Sequence, residues 1–231
     1  MSQRTPSVLI TGANRGLGLA LAEHYLSADW RVFAACRKST DPLDQLATHA
    51  NLTVHRVDVT DENSINELSK NLDGTPIDVL INNAGISGKT RVALSEVGAN
   101  DFMACLKTNA FGPLLMSRAF VSHVASSDRR IIANISSRLG SIEKNDWGRW
   151  YVYGTSKTVL NRVSVQLART LESKGIAVTA LHPGWVSTDM GGAEGPVTPQ
   201  QSALGLAQVI DSLSLESTGR FYDYTGAQWP W

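Results

Sequence analysis

A chain of 231 residues, 42% hydrophobic and 18% charged, is long enough for one large domain or two small ones and buries a core without metal or disulfide staples. Its 21 basic residues balance 21 acidic ones, which excludes a broad basic field for nucleic acid or anionic lipid and, with this apolar content, excludes disorder. No apolar run approaches a membrane span, Met1–Pro6 lacks the apolar core of a signal peptide, and the isolated Cys36 and Cys105 form no CxxC spacing, so the expected setting is a reducing cytosol.

In chain order, the first short apolar run, Ser7–Thr11, reads as a buried strand. It runs into Thr11-Gly12-Ala13-Asn14-Arg15-Gly16-Leu17-Gly18, a glycine-rich turn that opens a helix with Leu17, Leu21, Tyr25 and Ala28 on one face. Glycine lets a phosphate approach the backbone, and a helix N-terminus offers free N–H groups and a positive dipole end. A glycine turn alone is weak evidence, since ordinary turns use glycine too. Its place between first strand and first helix favours a nucleotide.

The second strand, Arg31–Ala35, ends in Cys36-Arg37-Lys38. A site for NAD wants a carboxylate here for the ribose 2′-hydroxyl. Arg37 and Lys38 stand there instead, with Arg15 in the glycine turn, and this set suits the 2′-phosphate of NADP where solvated surface charge is the plainer reading. Further strands are predicted at Leu52–Val57, Asp78–Ile81, Arg130–Ile135 and Ala177–Leu181, with a helix from about Thr155 to Glu172 carrying Leu160, Val163, Leu167 and Leu171 on its apolar stripe. This alternation predicts an α/β fold whose parallel sheet is covered on both faces. The loop Gly191–Gln201 follows the last of these strands, on the carboxyl side where such sheets bind ligands.

Two short motifs carry proton chemistry. Ser136 and Ser137 end the strand Arg130–Ile135, and Ser136 reads as a plain turn serine. Tyr153 and Lys157 stand at i and i+4, on one helix face, where an ammonium favours the phenolate and lowers the phenol pKa. Tyr151 has no such lysine. A Tyr–Lys pair alone is commonplace. The five histidines show no metal-ligand spacing, so no metal is expected.

With these pieces in place, the sequence resembles the short-chain dehydrogenase/reductases over essentially its whole length. The matching residues follow in family order: TGxxxGxG at Thr11–Gly18, Asp58, Asn82-Asn83-Ala84-Gly85, Asn109, Ser137, Tyr153 with Lys157, and Pro183-Gly184. Leu139–Ile142, Tyr151-x-Tyr153, Trp185–Gly192 and the ending Gly219–Trp231 look more narrowly like sniffer-type carbonyl reductases and bacterial C-factor-like proteins.

The resemblance implies a single doubly wound Rossmann-type domain over 1–231, with about seven parallel strands flanked by helices. It implies NADP(H) as cofactor and a small carbonyl or alcohol as substrate. Tyr153 would protonate the substrate oxygen, Ser137 would polarise the carbonyl, Lys157 would lower the Tyr153 pKa and hold the nicotinamide ribose, and Asn109 would support a water relay. Gly12, Asn14, Arg15, Gly16, Leu17 and Gly18 would cradle the cofactor phosphates, with Arg37 on the 2′-phosphate. Asp58 and Val59 would contact adenine; Asn83, Ala84 and Gly85 would line the cofactor; Pro183, Val186 and Thr188 would flank its carboxamide end. The interval from Ser137 to Tyr153 is long and carries Trp147, Trp150 and Tyr151, of which at least one tryptophan is expected to wall a substrate pocket.

The expected activity is reduction of aldehydes or ketones. The alternatives are a C-factor-like nucleotide-binding signalling or scaffold protein with little turnover, and an extended-type epimerase or dehydratase, for which the C-terminal part is too short. Family habit implies a homodimer, and the Trp229-Pro230-Trp231 ending is expected to pack on its own chain or a partner.

Overall fold

The computed structural model describes residues 4–146 and 148–231. Seven strands form one parallel sheet: β1 (Ser7–Thr11), β2 (Arg31–Cys36), β3 (Leu52–Arg56), β4 (Val79–Asn82), β5 (Ile131–Ile135), β6 (Ala177–His182) and β7 (Phe221–Asp223). Their spatial order is β3-β2-β1-β4-β5-β6-β7. The order reverses between β1 and β4, and in open parallel sheets the crevice beyond the carboxyl ends at such a point is where ligands bind.

Period-two alternation feeds two cores. Val8 and Ile10 of β1 face one layer and Leu9 the other; Val32 and Ala34 of β2 oppose Phe33 and Ala35 in the same way. The helices α1 (Gly16–Ser27) and α7 (Pro199–Ser212) cover the first face, and α2 (Asp41–Leu46) adds Leu43. The second face takes α3 (Glu62–Asn71), α5 (Gly112–Ala125) and α6 (Tyr153–Leu171). Both faces are thus apolar, as a covered parallel sheet requires. Among the described residues no helix is long and apolar enough to cross a membrane.

The six predicted strands lie within one residue of the observed ones at either end. The seventh, Phe221–Asp223, is three residues long and pairs with β6 at Ala180, Leu181 and His182. Helix α6 begins at Tyr153, earlier than the predicted Thr155, which places the phenol on its first turn.

The helix α4 (Ala99–Leu106) continues through a widened π-helical turn at Lys107–Phe111 into α5. Pro113 supplies the reason. It has no N–H to close an α-helical bond onto the carbonyl of Asn109, four residues earlier, so the chain widens there.

At the opposite end of the sheet the buried Asp78 carboxylate accepts from Arg4 Nη2 and from the Ser7 main-chain N–H, each at 2.8 Å. Burial pushes its pKa up, but these hydrogen bonds and the Arg4 charge outweigh it and hold the group below the usual carboxylate range. The folded pKa then lies below the unfolded one, so the stabilisation is present above the carboxylate range and is lost as pH falls through the folded value. Asp78→Asn is expected to cost about 1–3 kcal/mol at neutral pH. In denaturant titrations, its deficit against the native protein should shrink as the pH is taken down through about 4.

Candidate active site

The glycine turn between β1 and α1 is shaped by close approach. Gly12 has φ +66°, and a Cβ there would stand 2.9 Å from the Ala84 Cα. A Cβ on Gly18 would lie 2.2 Å from the Gly12 carbonyl oxygen, so only glycine lets α1 start this close to the turn. Asn83 braces the turn from below, its Nδ2 donating to the carbonyls of Thr11 at 2.9 Å and Gly12 at 3.2 Å. The Thr11 hydroxyl accepts from the main-chain N–H of both Asn83 and Ala84 at 3.0 Å. Asn14 ties the turn sideways, donating to the Lys38 carbonyl at 3.1 Å and accepting from the Thr40 hydroxyl at 2.5 Å. Leu17 is half-buried against the first core.

At the tips of β2 and β3, Arg37, Lys38 and Arg56 line one open recess together with Cys36, Ser39 and His55. Arg56 is an addition that motif reading missed; its signal is its register opposite Cys36. Arg15 does not join this group. Its guanidinium pairs with Asp189 at 3.0 Å, both side chains largely exposed, and so bridges the glycine turn to the loop after β6. Asp58 accepts from the Thr60 N–H at 2.9 Å and hydroxyl at 2.7 Å. Burial raises its pKa, but the Thr60 bonds and the nearby Arg37 and Lys107 charges bring it below the ordinary value. Val59 is buried under Gly112.

The side chains singled out for proton chemistry gather at the carboxyl end of β5. Lys157 is buried, and its Nζ donates to the Ile135 carbonyl at 2.7 Å. The same ammonium lies 5.7 Å from the centroid of the Tyr153 ring. Ser137 is the buried residue where β5 turns away; its Oγ accepts from the Leu139 N–H at 3.2 Å and lies near enough to the Tyr153 phenol to favour its ionised form. Burial lowers the Lys157 pKa to about 8. Burial also pushes the Tyr153 phenol up to about 12, against the opposing pull of Ser137. The sequence predicts a phenol lowered by its lysine. In the structure desolvation wins, and the lysine is occupied by a carbonyl on the strand.

Asn109 lies in the π-helical turn with its side chain fully engaged. Oδ1 accepts from the Ile86 N–H at 2.8 Å, and Nδ2 donates to the Ile86 carbonyl at 2.8 Å and to Ser156 Oγ at 2.9 Å. Gly85 fits between Asn109 and Lys157, for a Cβ there would be 3.2 Å from Asn109 Oδ1 and 3.7 Å from Lys157 Nζ. Cys105, one turn before Asn109, is buried beside the Tyr153–Lys157 pair, with its thiol pKa raised by burial.

After β6, the Pro183 carbonyl accepts from Ser202 Oγ at 2.7 Å. Val186 is buried and bridges to Val197. A Cβ on Gly16 would meet the Thr188 methyl at 3.2 Å, so this loop closes over the glycine turn. Trp150 stands 6.3 Å from the Tyr153 ring, centroid to centroid, with the Arg91 guanidinium 5.5 Å from its own ring. Trp147 falls outside the described residues.

Ser136 is indeed structural, donating to Asn161 Oδ1 at 2.6 Å. Asn161 is the larger surprise. It is buried, and its Nδ2 donates to the Gly140 carbonyl at 3.0 Å, so it grips both ends of the turn containing Ser137. Its signal is position: Tyr153, Lys157 and Asn161 recur every four residues along α6. Among the described residues no group of three or more His, Cys, Asp or Glu could hold a metal ion.

The family described as short chain dehydrogenase matches residues 6–197. C-signal of Myxococcus xanthus is 40% identical over 156 residues, covering 68% of this chain and 93% of its own. The 1-hydroxy-2-glutathionyl-2-methyl-3-butene dehydrogenase of Rhodococcus sp. is 33% identical over 235 residues, covering 96% of this chain and 99% of its own. Among solved structures, the carbonyl reductase Sniffer of D. melanogaster superposes with a TM-score of 0.93 at 32% identity, over 99% of this chain and 100% of its own. The NADPH-bound carbonyl reductase from chicken fatty liver superposes at 0.90 and 34% identity over the same shares.

Asn161→Ala removes both grips on the Ser136–Gly140 turn. It is expected to cost about 1–3 kcal/mol in denaturant unfolding. Amide exchange should quicken at Leu139 and Gly140 while the β1–α1 turn keeps its protection.

Proposed function

Since the chain belongs to the short-chain dehydrogenase family, an oxidoreductase family, we propose that it reduces aldehyde or ketone carbonyls with NADP(H), Tyr153 acting as general acid. The observation that carries this reading is the meeting of the Ser137 hydroxyl, the Tyr153 phenol and the buried Lys157 ammonium at the end of β5, beside the switch point of the sheet.

The residues present fit the cofactor. Gly12 and Gly18 leave a turn that any Cβ would fill, and it lies at the N-terminus of α1, where phosphate is favoured. Arg37, Lys38 and Arg56 offer cationic donors at the tips of β2 and β3, matching a ribose 2′-phosphate. In this reading Gly12, Asn14, Arg15, Gly16, Leu17 and Gly18 hold the diphosphate, Asp58 and Val59 the adenine, and Asn83 to Gly85 the middle of the cleft. Pro183, Val186 and Thr188 hold the carboxamide end. The carbonyl reductases to which this chain is similar, among them the NADPH-bound chicken protein, support the same reading.

When bound, NADPH supplies the hydride. Ser137 Oγ accepts from Leu139 and so keeps its own proton to donate to the substrate oxygen. Tyr153 delivers a proton to that oxygen. A phenol pushed up to about 12 remains protonated at neutral pH, the state an acid in reduction needs. Lys157 stabilises the phenolate left behind. Asn109 spends its side chain on Ile86 and Ser156, so its part in a water relay falls to its main-chain oxygen, which Pro113 cannot bond. Trp150, beside Tyr153, walls the substrate side. Homodimer formation belongs to the same reading, with Met103, Phe111 and Val159 exposed on adjoining helical segments; light scattering at working concentration tests it.

A second reading, a nucleotide-binding signalling protein with little turnover, rests on the likeness to C-signal. The joint presence of Asn109, Ser137, Tyr153 and Lys157 favours catalysis, since binding alone needs no such set.

The test is NADPH oxidation against aliphatic, aromatic and dicarbonyl substrates. Tyr153→Phe should lower the rate by about 10²–10⁴ and leave NADPH binding intact; near-normal turnover in this variant refutes the acid. Arg37→Ala should weaken NADPH binding by about 1.5–3 kcal/mol and spare NADH. As pH rises through about 8, Lys157 loses its charge, so kcat/KM for reduction should fall on the alkaline side, with an apparent pKa that belongs to the Tyr153–Lys157 pair.

A further inference from the structure

The stretch leaving Ser137 is held by the far end of the chain. The Trp231 main-chain oxygen accepts from the Ile142 N–H at 2.5 Å, the Glu143 N–H at 3.3 Å and Ser141 Oγ at 3.1 Å. Ser141 is buried, and its N–H donates to the Arg138 carbonyl at 3.0 Å, so this clamp continues directly into the turn that presents Ser137.

Trp231 is itself held. Its ring stacks on Phe221 of β7, centroids 5.5 Å apart and planes 15° from parallel. Trp229 donates its main-chain N–H to the Phe221 carbonyl at 2.7 Å and its indole N–H to Asp223 Oδ2 at 2.9 Å. The His182 ring, at the end of β6, meets the Trp229 indole nearly edge-on at 5.6 Å. The segment 229–231 therefore ties the sheet edge to the loop after β5.

The described residues between Ile142 and Trp150 form neither helix nor strand. These described residues are anchored at two ends. One end is Trp150, whose carbonyl accepts from the Gly154 N–H at 2.9 Å and whose ring lies beside Tyr153. The other is the clamp on Trp231. Ile142, 73% exposed, is an apolar side chain placed on pinned main chain.

From this we infer that Trp231 is a specificity-determining positioning residue. It sets where Ile142, Glu143 and the described residues after them stand relative to Ser137 and Tyr153, and so governs how the larger substituent of a carbonyl substrate is received. It takes no part in hydride or proton transfer. The inference rests on the reductase reading.

Trp231→Ala removes the stack that holds the accepting oxygen in place, and Ser141→Ala removes one donor. In Trp231→Ala, KM for a bulky aromatic ketone should rise about tenfold, the pattern left when binding shared by ground and transition states is lost. The kcat at saturation, the KM for a small aliphatic aldehyde and the Kd for NADPH should stay within about twofold. Ser141→Ala should move the same KM in the same direction by less. Amide exchange at Ile142 and Glu143 should quicken in Trp231→Ala, with the sheet unchanged. Wild-type turnover with an unmoved aromatic-ketone KM, or an equal loss with every carbonyl, overturns the inference alone. Wild-type protein that binds NADPH and reduces none of the carbonyls overturns the reductase reading and this inference with it.

Discussion

A buried ammonium resting on a strand carbonyl organises this molecule. Removing a charge from water is costly unless hydrogen bonds replace the lost hydration. The Lys157 Nζ finds one at the Ile135 carbonyl, which fixes α6 against the end of β5. Two missing side chains make room for that placement. A Cβ on Gly140 would collide with the Lys157 main chain at 2.8 Å, and one on Gly85 would crowd Asn109 and Lys157 Nζ. With α6 seated this way, Tyr153, one turn earlier, faces Ser137. Asn161, one turn later, holds the turn on which Ser137 sits. Moving the lysine would therefore disturb the Tyr153 phenol, the Ser137 hydroxyl and their support together.

Charge is arranged locally. The chain as a whole is neutral, yet Arg37, Lys38 and Arg56 share one recess at the tips of β2 and β3. Asp58 lies close enough to Arg37 to feel its charge. The exposed Arg15–Asp189 pair links the two loops that flank the cleft, and an exposed pair of this kind contributes little to stability. Net charge thus says nothing here about anion binding, which depends on which strand tips carry the cations.

Much of this was legible in the amino-acid order. Five strands, β1, β2 and β4 to β6, are buried nearly throughout and read as short apolar runs; with the half-exposed edge strand β3 they appeared within one residue of their true ends. The seventh escaped because Phe221–Asp223 has only three residues and owes its existence to an open edge on β6, a tertiary fact. Tyr153 and Lys157 were readable from helical spacing; the direction of the phenol pKa was not, because burial depends on everything packed around it. Asn161 looked like an ordinary polar helix residue. Periodicity describes a helix, and Asn161 matters through the loop lying on that helix. The Trp229–Trp231 segment was readable as something that must pack, and only the coordinates identify its partners as Phe221, His182 and the loop at Ser141–Glu143.

The placement of β1 has a kinetic consequence. The first strand made is flanked in the finished sheet by β2 on one side and by β4, starting at Val79, on the other. Until β4 arrives, Val8, Leu9 and Ile10 offer a bare edge, apolar on both faces, to any strand that passes. Pairing across such a sequence distance pays its loop-closure entropy before any contact repays it, which slows folding. The crevice where the sheet order reverses is created by this late pairing. Its two walls remain separate until then, so ligand cannot guide the early steps of folding, and the nascent chain is most prone to self-association before the cleft exists.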